Sequence, residues 1–177
     1  MSPDGGDELG VPLNPASEVE GFAVLERATV QRLVPGFDWR RFAAPSPRHR
    51  PAVPLGQATI GLVSTSGARV AGQPPFIRSR RGDPSFREIP ADTAIGQLEF
   101  NHVGYDVRNA YADPDCVFPL ALLCRLADEG LIGGVAARAY SLMGYITQTD
   151  VLLEETGPAI ARALAADNVD LAFLVPA

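Results

Sequence analysis

The stretch that decides the fold is residues 57–70, QATIGLVSTSGARV, in which an apolar, β-branched run is followed at once by small residues. Such a run predicts a buried strand, and TSGA predicts a glycine-containing loop at its end. Residues 93–102 (TAIGQLEFNH) and 137–146 (ARAYSLMGYI) predict a second and a third strand of the same sheet. The apolar residues 169–177 (VDLAFLVPA) predict a fourth.

Helical patterns separate these strands. Residues 116–134 (CVFPLALLCRLADEGLIGG) have Pro119 at a helix start and Gly130 at its end. Residues 147–168 contain an interrupted helix, which we expect to break near Gly157 and Pro158. The alternation predicts an α/β fold with a mostly parallel sheet covered on both faces, and ligands bind beyond the carboxyl ends of such strands. Because the last strand reaches Ala177, we expect the fold to be incomplete there.

The N-terminal part has a different composition. Residues 1–16 are rich in Gly, Pro and Asp and predict a disordered tail. Ser17 followed by Glu20 has the spacing of a capping box, which predicts a helix that ends before Pro35. With the Pro-rich arm that follows, this helix makes up residues 17–56, and residues 57–177 form the α/β domain.

Composition excludes several classes of function. The chain of 177 residues contains fifteen Arg and no Lys, which excludes a lysine Schiff base, a P-loop lysine and pyridoxal-phosphate anchoring. A net charge of -6 argues against nucleic acid as a partner. No run approaches the ~18 apolar residues of a membrane span, and residues 1–10 lack the basic and apolar regions of a signal peptide, so we expect no membrane contact and a cytoplasmic location. Two His and two Cys are too few for a structural metal, and Cys116 and Cys124 are expected to pack as small buried residues.

Five motifs in this order and spacing carry a family resemblance. They are IGLVSTSGARV (60–70), GDPSFREIP (82–90), HVGYD (102–106), DPDCVFPLALLCRLADEGLIGG (113–134) and AYSLMGYI (139–146). From about Gln57 to its last residue the chain resembles the selenoprotein B family of glycine, sarcosine, betaine and D-proline reductases. The resemblance implies a Rossmann-like, three-layer α/β fold and no nicotinamide or flavin cofactor. It also implies that a catalytic selenocysteine or cysteine follows directly after a strand like LAFLVPA, the position at which this sequence ends.

The position of that end leaves two alternatives. In the first, which we favour, the chain is the N-terminal part of an enzyme, closed at a UGA codon for selenocysteine or cut there. In the second, it is a naturally short, pocket-forming subunit that needs a second reductase subunit to supply the nucleophile. A homo-oligomer is a further possible assembly.

The reaction that the resemblance implies sets the requirements for a site. A selenolate displaces an activated amine, which needs a pocket for the substrate carboxylate as well as a nucleophile. Arg87, in a loop punctuated by Gly and Pro, is the candidate for bidentate carboxylate binding, assisted by the Ser85 hydroxyl. The alternative for Arg87 is an ion pair that braces the loop through Asp83 or Glu88.

The loop after the first predicted strand is a second candidate. Backbone N–H groups at Ser64, Thr65, Ser66 and Gly67 could hold a carboxylate, or the hydroxyls could simply satisfy a turn. No G-x-G-x-x-G spacing is present, so this loop predicts no dinucleotide.

The cluster HVGYD is a third candidate, because it follows a predicted strand. His102 is expected to act as a general acid or base, oriented by Asp106, with Tyr105 beside the substrate. The alternative is a structural hydrogen-bonding histidine. Gly144 and Tyr145, together with Tyr140 and Ser141, could line the same pocket, although most of that segment is expected in the core.

We therefore expect a component of a reductase that cleaves a C–N bond of a small carboxylated amine, with electrons from thiols and no bound cofactor. A non-catalytic binding subunit is the alternative from another class, since an open apolar edge at LAFLVPA would favour pairing with a partner chain. A racemase or lyase is less well supported, because the two Cys residues do not lie at two strand ends.

Overall fold

The computed structural model describes Arg32, Pro35 and residues 50–177, except Arg80, Val103 and Gln148. The predicted tail and most of the predicted N-terminal helix and arm lie outside these residues. The first predicted strand is confirmed as β1, Thr59–Ser64. Ile60 and Leu62 of this strand are buried, because β1 is the central strand of the main sheet. Continuous burial explains why the run is apolar without strict alternation.

The main sheet is mixed and mostly parallel, as predicted for an α/β fold. β1 pairs in parallel with three strands, β7 on one side and β5 and then β6 on the other. β3 adds to β6 in the antiparallel direction. The strands after β1 are β2 (Ala68–Val70), β3 (Phe86–Pro90), β4 (Leu98–Phe100), β5 (Gly134–Val135), β6 (Arg138–Leu142) and β7 (Leu171–Val175).

Helices cover both faces of this sheet. The described helices are α1 (Val107–Ala112), α2 (Leu120–Asp128) and α3 (Gly157–Ala166), and 3-10 turns span Leu55–Gln57, Ile95–Gln97 and Pro114–Cys116. Leu120 and Leu123 of α2 share a core cluster with Leu62, whereas Ile160 of α3 packs with Val63 in a second cluster. Because successive side chains of a strand point to opposite faces, the two clusters lie on opposite sides of the sheet.

The expected second strand does not join the main sheet. Residues 93–102 form the 3-10 turn Ile95–Gln97 and then β4, which pairs antiparallel with β2 in a separate two-stranded sheet. Gly67, with a left-handed φ of +66°, lies between β1 and β2, and within the described residues β2 does not pair with the main sheet. β4 pairs with β2 over Ala68–Val70 rather than with β1.

The segment GDPSFREIP is not a loop throughout. Its second half is β3, an edge strand that runs from Phe86 to Pro90 along β6. Pro90 ends the strand, where a missing N–H is tolerated.

The expected break at Gly157 and Pro158 does not occur either. A π-helical turn, Leu152–Thr156, runs directly into α3, and the Gly157 N–H donates to the Leu152 carbonyl. Pro158 follows the π turn directly, and a π turn is where a helix accommodates an interruption of its regular hydrogen bonds, such as the missing N–H of Pro158.

Candidate functional site

The carboxyl ends of β1, β6 and β7 meet at one edge of the sheet. The Thr65 N–H donates to the Val175 carbonyl at 3.0 Å, and the Ala177 N–H donates to Thr65 Oγ1 at 2.9 Å. A methyl group added at Gly144 would lie 2.8 Å from both the Ala177 carbonyl oxygen and His102 Nε2, and 3.3 Å from the Thr65 carbonyl oxygen. We call Thr65, His102, Gly144 and Ala177 the strand-end cluster. Its location is the one at which open α/β sheets bind ligands.

His102 enters this cluster from β4. Asn101, which directly precedes it, donates its N–H to the Gly67 carbonyl at 3.0 Å, so the end of β4 is attached to the loop after β1. The imidazole is only 7% exposed and stacks on the Tyr105 ring, with 4.6 Å between ring centroids. His102 Nδ1 lies 2.8 Å from the Gly104 nitrogen, and Nε2 lies 3.1 Å from the Gly144 nitrogen.

These contacts determine the charge that His102 can carry. Both ring nitrogens face backbone N–H donors, and an imidazolium ion has no lone pair to accept from either. Burial also lowers the pKa of His102 below its usual 6.5. A neutral ring offers one acceptor, so only one of the two N–H groups is satisfied at a time. The geometry favours a neutral imidazole. The ring can still accept a proton, as a general base does, but charging it in this buried position costs free energy.

Asp106 does not orient His102. Its carboxylate caps α1 by accepting from the Arg108 N–H at 3.0 Å, and it forms an ion pair with the Arg108 guanidinium. Arg108 holds the pKa of Asp106 below its usual value. The expected pairing is not observed because the N-cap position directs the carboxylate along α1.

Tyr105 has a supporting position. Its hydroxyl donates to the Ser66 carbonyl at 2.7 Å, which attaches the segment before α1 to the loop after β1. Burial raises the pKa of Tyr105 to about 12, so the phenol keeps this proton at physiological pH.

The predicted N–H cradle after β1 is occupied by internal hydrogen bonds. The Ser66 N–H donates to Ser64 Oγ at 3.1 Å, and the Gly67 N–H donates to the Leu142 carbonyl at 2.8 Å. Ser64 Oγ in turn donates to the Val117 carbonyl, and Ser64, Ser66 and Gly67 are all buried. Thr65 is the member of this loop that joins the strand-end cluster with a partly exposed side chain.

Arg87 is engaged by its own loop. Its guanidinium donates to the carbonyls of Pro74, Pro75 and Phe86 and stacks over the Phe76 ring, 4.2 Å from the centroid. The guanidinium thus braces the loop through backbone carbonyls and forms no ion pair with Asp83 or Glu88 among the described residues.

Ser85 is part of the same brace. Arg87 Nη1 donates to Ser85 Oγ at 2.9 Å, and Ser85 Oγ donates to Asp83 at 2.5 Å. Burial would raise the pKa of Asp83, but hydrogen bonds from Ser85 and Ile77 outweigh it and lower the pKa. Arg87 therefore meets Asp83 through Ser85, and Glu88 pairs instead with Arg138.

Sequence reasoning missed two residues beside the cluster, Asn101 and Arg78. Arg78 Nε donates to Asn101 Oδ1 at 2.9 Å. Asn101 could have been found from its place in the polar group that follows β4. Arg78 could have been found from the arginine-rich residues 77–82 (IRSRRG). Of the other residues considered, Gly144 is in the cluster and Tyr145 is exposed, whereas Tyr140 and Ser141 are buried within β6.

An apolar groove of about 560 Å³ adjoins the strand-end cluster. It lies between α3 and the ends of β1, β6 and β7, and Thr65 is the one polar side chain among the described residues that line it. The groove is large enough for a small ligand. Its lining residues are Val63, Thr65, Leu142, Met143, Ile146, Leu152, Gly157, Ile160, Ala161, Leu164, Leu174, Val175 and Pro176.

Neither cysteine is a member of the strand-end cluster. Cys116 is exposed in a 3-10 turn, which corrects the expectation that both are buried, because this turn lies on the surface before α2. Cys124 is half-buried in α2, and burial raises the pKa of its thiol.

Within the described part of the chain, no group of three or more His, Cys, Asp or Glu is arranged to hold a metal ion. No helix in that part is both long and apolar enough to cross a membrane.

The fold and the cluster define an α/β domain with a candidate small-molecule site at the carboxyl ends of parallel strands. Residues 42–177 match the family described as glycine/sarcosine/betaine reductase selenoprotein B. The chain belongs to this family, as its motifs indicated.

Two relatives illustrate the range of the family. Over 120 residues, 68% of this chain, it is 35% identical to D-proline reductase subunit gamma of Acetoanaerobium sticklandii. Over 156 residues, 84% of this chain, it is 30% identical to glycine reductase complex component B subunit gamma of Carboxydothermus hydrogenoformans. The matches span 49% of the first relative and 33% of the second, so the chain covers half or less of their length. No solved structure matches the chain.

Proposed function

We propose that this chain forms the substrate pocket of a reductase that cleaves a C–N bond of a small carboxylated amine. The observation that carries the proposal is the strand-end cluster, in which Thr65, His102 and Gly144 surround the end of the segment LAFLVPA. The family resemblance implies that strands like LAFLVPA lead into the reactive residue. A nucleophile joined to Ala177, or brought there by a second subunit, would lie among groups that can bind a substrate and accept a proton.

The proposed reaction balances with thiols as the reductant. A selenolate or thiolate forms a bond to the carbon that bears nitrogen, and the C–N bond breaks with its electron pair leaving on nitrogen, which takes up a proton. A thiol then attacks the selenium or sulfur, and the carbon takes a proton as its bond to that atom breaks. A second thiol releases the nucleophile, so that two thiols become one disulfide.

The described residues have distinct roles in this proposal. The neutral His102 imidazole is the general base, and the Thr65 hydroxyl contacts the bound substrate. Ser64, Ser66, Gly67 and Tyr105 hold the loop after β1, Asp106 caps α1, and Ser85 with Arg87 braces the segment before β3.

The proposal extends to the whole protein. We assign its fold to the Rossmann-like three-layer class, supported by α2 and α3 on opposite faces of the sheet. We further propose a cytoplasmic protein of amino-acid metabolism that works without a bound cofactor and binds neither nucleic acid nor membrane.

The alternative, a non-catalytic pocket-forming subunit, is favoured by one observation. β7 is an edge strand of the described sheet, and its Phe173 and Leu174 are 42% and 66% exposed. Exposed apolar side chains on an edge strand are typical of surfaces that pair with another strand.

One experiment separates the two proposals. The genomic DNA beyond the codon for Ala177 is sequenced and translated with UGA read as selenocysteine. A selenocysteine or cysteine codon at the next position supports the catalytic proposal. Unrelated DNA behind an ordinary stop codon supports the pocket-forming subunit, and co-purification then identifies the chain that carries the nucleophile.

A further inference from the structure

The described residues 77–79, 81 and 82 form a segment that is attached to both sides of the strand-end cluster. On one side, Arg78 Nε donates to Asn101 Oδ1, next to His102 in the chain. On the other, the Arg81 carbonyl accepts from the Thr147 N–H at 3.0 Å, three residues after Gly144. Gly82, at φ +80°, packs so closely on this second side that an added methyl group would lie 2.0 Å from the Tyr145 carbonyl oxygen. The segment is therefore fixed at the edge where the strands end.

Asn101 gives Arg78 a rigid support. The Asn101 side-chain amide donates to the Phe76 carbonyl at 3.3 Å, while its backbone N–H donates to the Gly67 carbonyl. With its side-chain nitrogen engaged, Asn101 presents its oxygen to Arg78. A guanidinium held through Nε keeps its two terminal nitrogens for another partner, in the fork geometry that matches a carboxylate.

The charge of Arg78 is not neutralised by any carboxylate among the described residues. Arg69, Arg108, Arg125 and Arg138 all form ion pairs with Asp or Glu, and Arg87 is surrounded by backbone carbonyls. Arg78 is exposed, and its single side-chain hydrogen bond within the described structure is to a neutral amide. Arg78 therefore keeps its positive charge beside Asn101, which directly precedes His102 in the chain.

We propose that Arg78, oriented by Asn101, binds the carboxylate of the substrate at the strand-end cluster. This inference rests on the proposed function and assigns to Arg78 the role that the sequence had suggested for Arg87. The substrate class is a small amine with a free carboxylate, whose nitrogen-bearing carbon faces Ala177 while the carboxylate faces Arg78.

The test is an NMR titration of the 177-residue chain with D-proline, and with pyrrolidine as the matched amine without a carboxylate. Glycine and methylamine form a second pair. We expect Arg78→Ala to weaken D-proline or glycine binding by roughly tenfold or more, with no effect on the amine that lacks a carboxylate. Arg78→Lys keeps the charge but not the fork, and should give a smaller loss. Asn101→Ala should also weaken binding, because it frees the guanidinium to rotate.

Arg162→Ala is the matched control. Arg162 is exposed on α3 and has no ion pair within the described residues, so its removal changes the net charge by the same amount. Binding of D-proline by Arg78→Ala at the affinity of the unmodified chain would overturn the inference and leave the proposed function standing. If the unmodified chain bound the carboxylated ligands no better than the amines, the proposed function would fail as well.

Discussion

His102 Nε2 lies 3.1 Å from the backbone nitrogen of Gly144, across 42 positions of sequence. This contact joins the end of the small β2–β4 sheet to the end of β6 in the main sheet. It brings a buried imidazole to the edge where Thr65 and Ala177 are already hydrogen-bonded to each other. The cluster is thus assembled from parts of the chain that no local motif connects.

The Gly144 contact makes this position intolerant of a side chain. In Gly144→Ala the added methyl group would meet two backbone oxygens and the imidazole, and backbone atoms cannot move aside cheaply. We expect D-proline or glycine binding to fall at least tenfold, with altered 15N shifts of the His102 ring. Gly134→Ala is the control, since an added methyl group there meets no atom within 4 Å. Unchanged binding and ring shifts in Gly144→Ala would show that the cluster is looser than its geometry indicates.

Stability should fall as the pH drops below about 6.5, and His102 should account for part of the fall. Burial lowers the pKa of His102 in the folded state, so the unfolded chain takes up this proton at a higher pH than the folded one. The stabilising contribution is complete above the unfolded pKa and is lost progressively below it. Urea unfolding between pH 5 and 8 measures this dependence, using the ordinary histidine pKa of about 6.5 as reference. In His102→Gln the slope in that window should decrease; an unchanged slope would mean that His102 titrates normally in the folded protein.

Arg87 is expected to matter for stability rather than for substrate binding. Arg87→Ala removes hydrogen bonds to three backbone carbonyls and the stacking on Phe76, a loss of about 1–3 kcal/mol in the free energy of unfolding. Chemical denaturation measures this change, with Arg162→Ala as the comparison. A normal free energy of unfolding combined with weakened D-proline binding would restore Arg87 as the carboxylate clamp.

The packing of α3 on the sheet gives a prediction about the fold itself. A methyl group at Gly61 would lie 2.6 Å from Leu164 Cδ2 and 3.0 Å from Val169 Cγ1. Gly61→Ala should therefore destabilise the protein by about 1–3 kcal/mol through overpacking. Gly96→Ala, where an added methyl group meets nothing within 4 Å, should change the free energy of unfolding by less than about 0.5 kcal/mol. Equal effects of the two substitutions would contradict the close approach of α3 to β1.

The elements that the sequence predicted well are those with strong local signals. β1, α2, β6 and β7 carry long apolar patterns, and Gly130 follows α2 in the left-handed conformation with φ +73°. β4 was assigned to the wrong sheet because its own pattern does not show that its partner is the short strand β2. Periodicity gives the length and exposure of a strand but not the strand with which it pairs.

The site was predicted in part for a related reason. Residue type and position after a strand pointed to His102 and Thr65. They could not show which polar groups are already hydrogen-bonded within the protein and so cannot bind a ligand. Arg78 and Arg87 are only nine positions apart in the sequence. The structure shows that the Arg87 guanidinium is surrounded by backbone carbonyls, whereas the Arg78 guanidinium is held by one side-chain amide. Hydrogen bonds between residues that are far apart in the chain produce no periodic pattern in the sequence.

The central claim is reductive cleavage of a C–N bond at the strand-end cluster. It is tested most directly by expressing the gene together with its downstream DNA, in a host that inserts selenocysteine at UGA, and incubating the purified protein with D-proline or glycine and a dithiol. Where a second subunit carries the nucleophile, that subunit is added. Mass spectrometry should detect the reduced product, 5-aminopentanoate or acetate, formed only with the dithiol and reduced in His102→Gln. No dithiol-dependent product from a folded protein with its nucleophile in place would contradict the account.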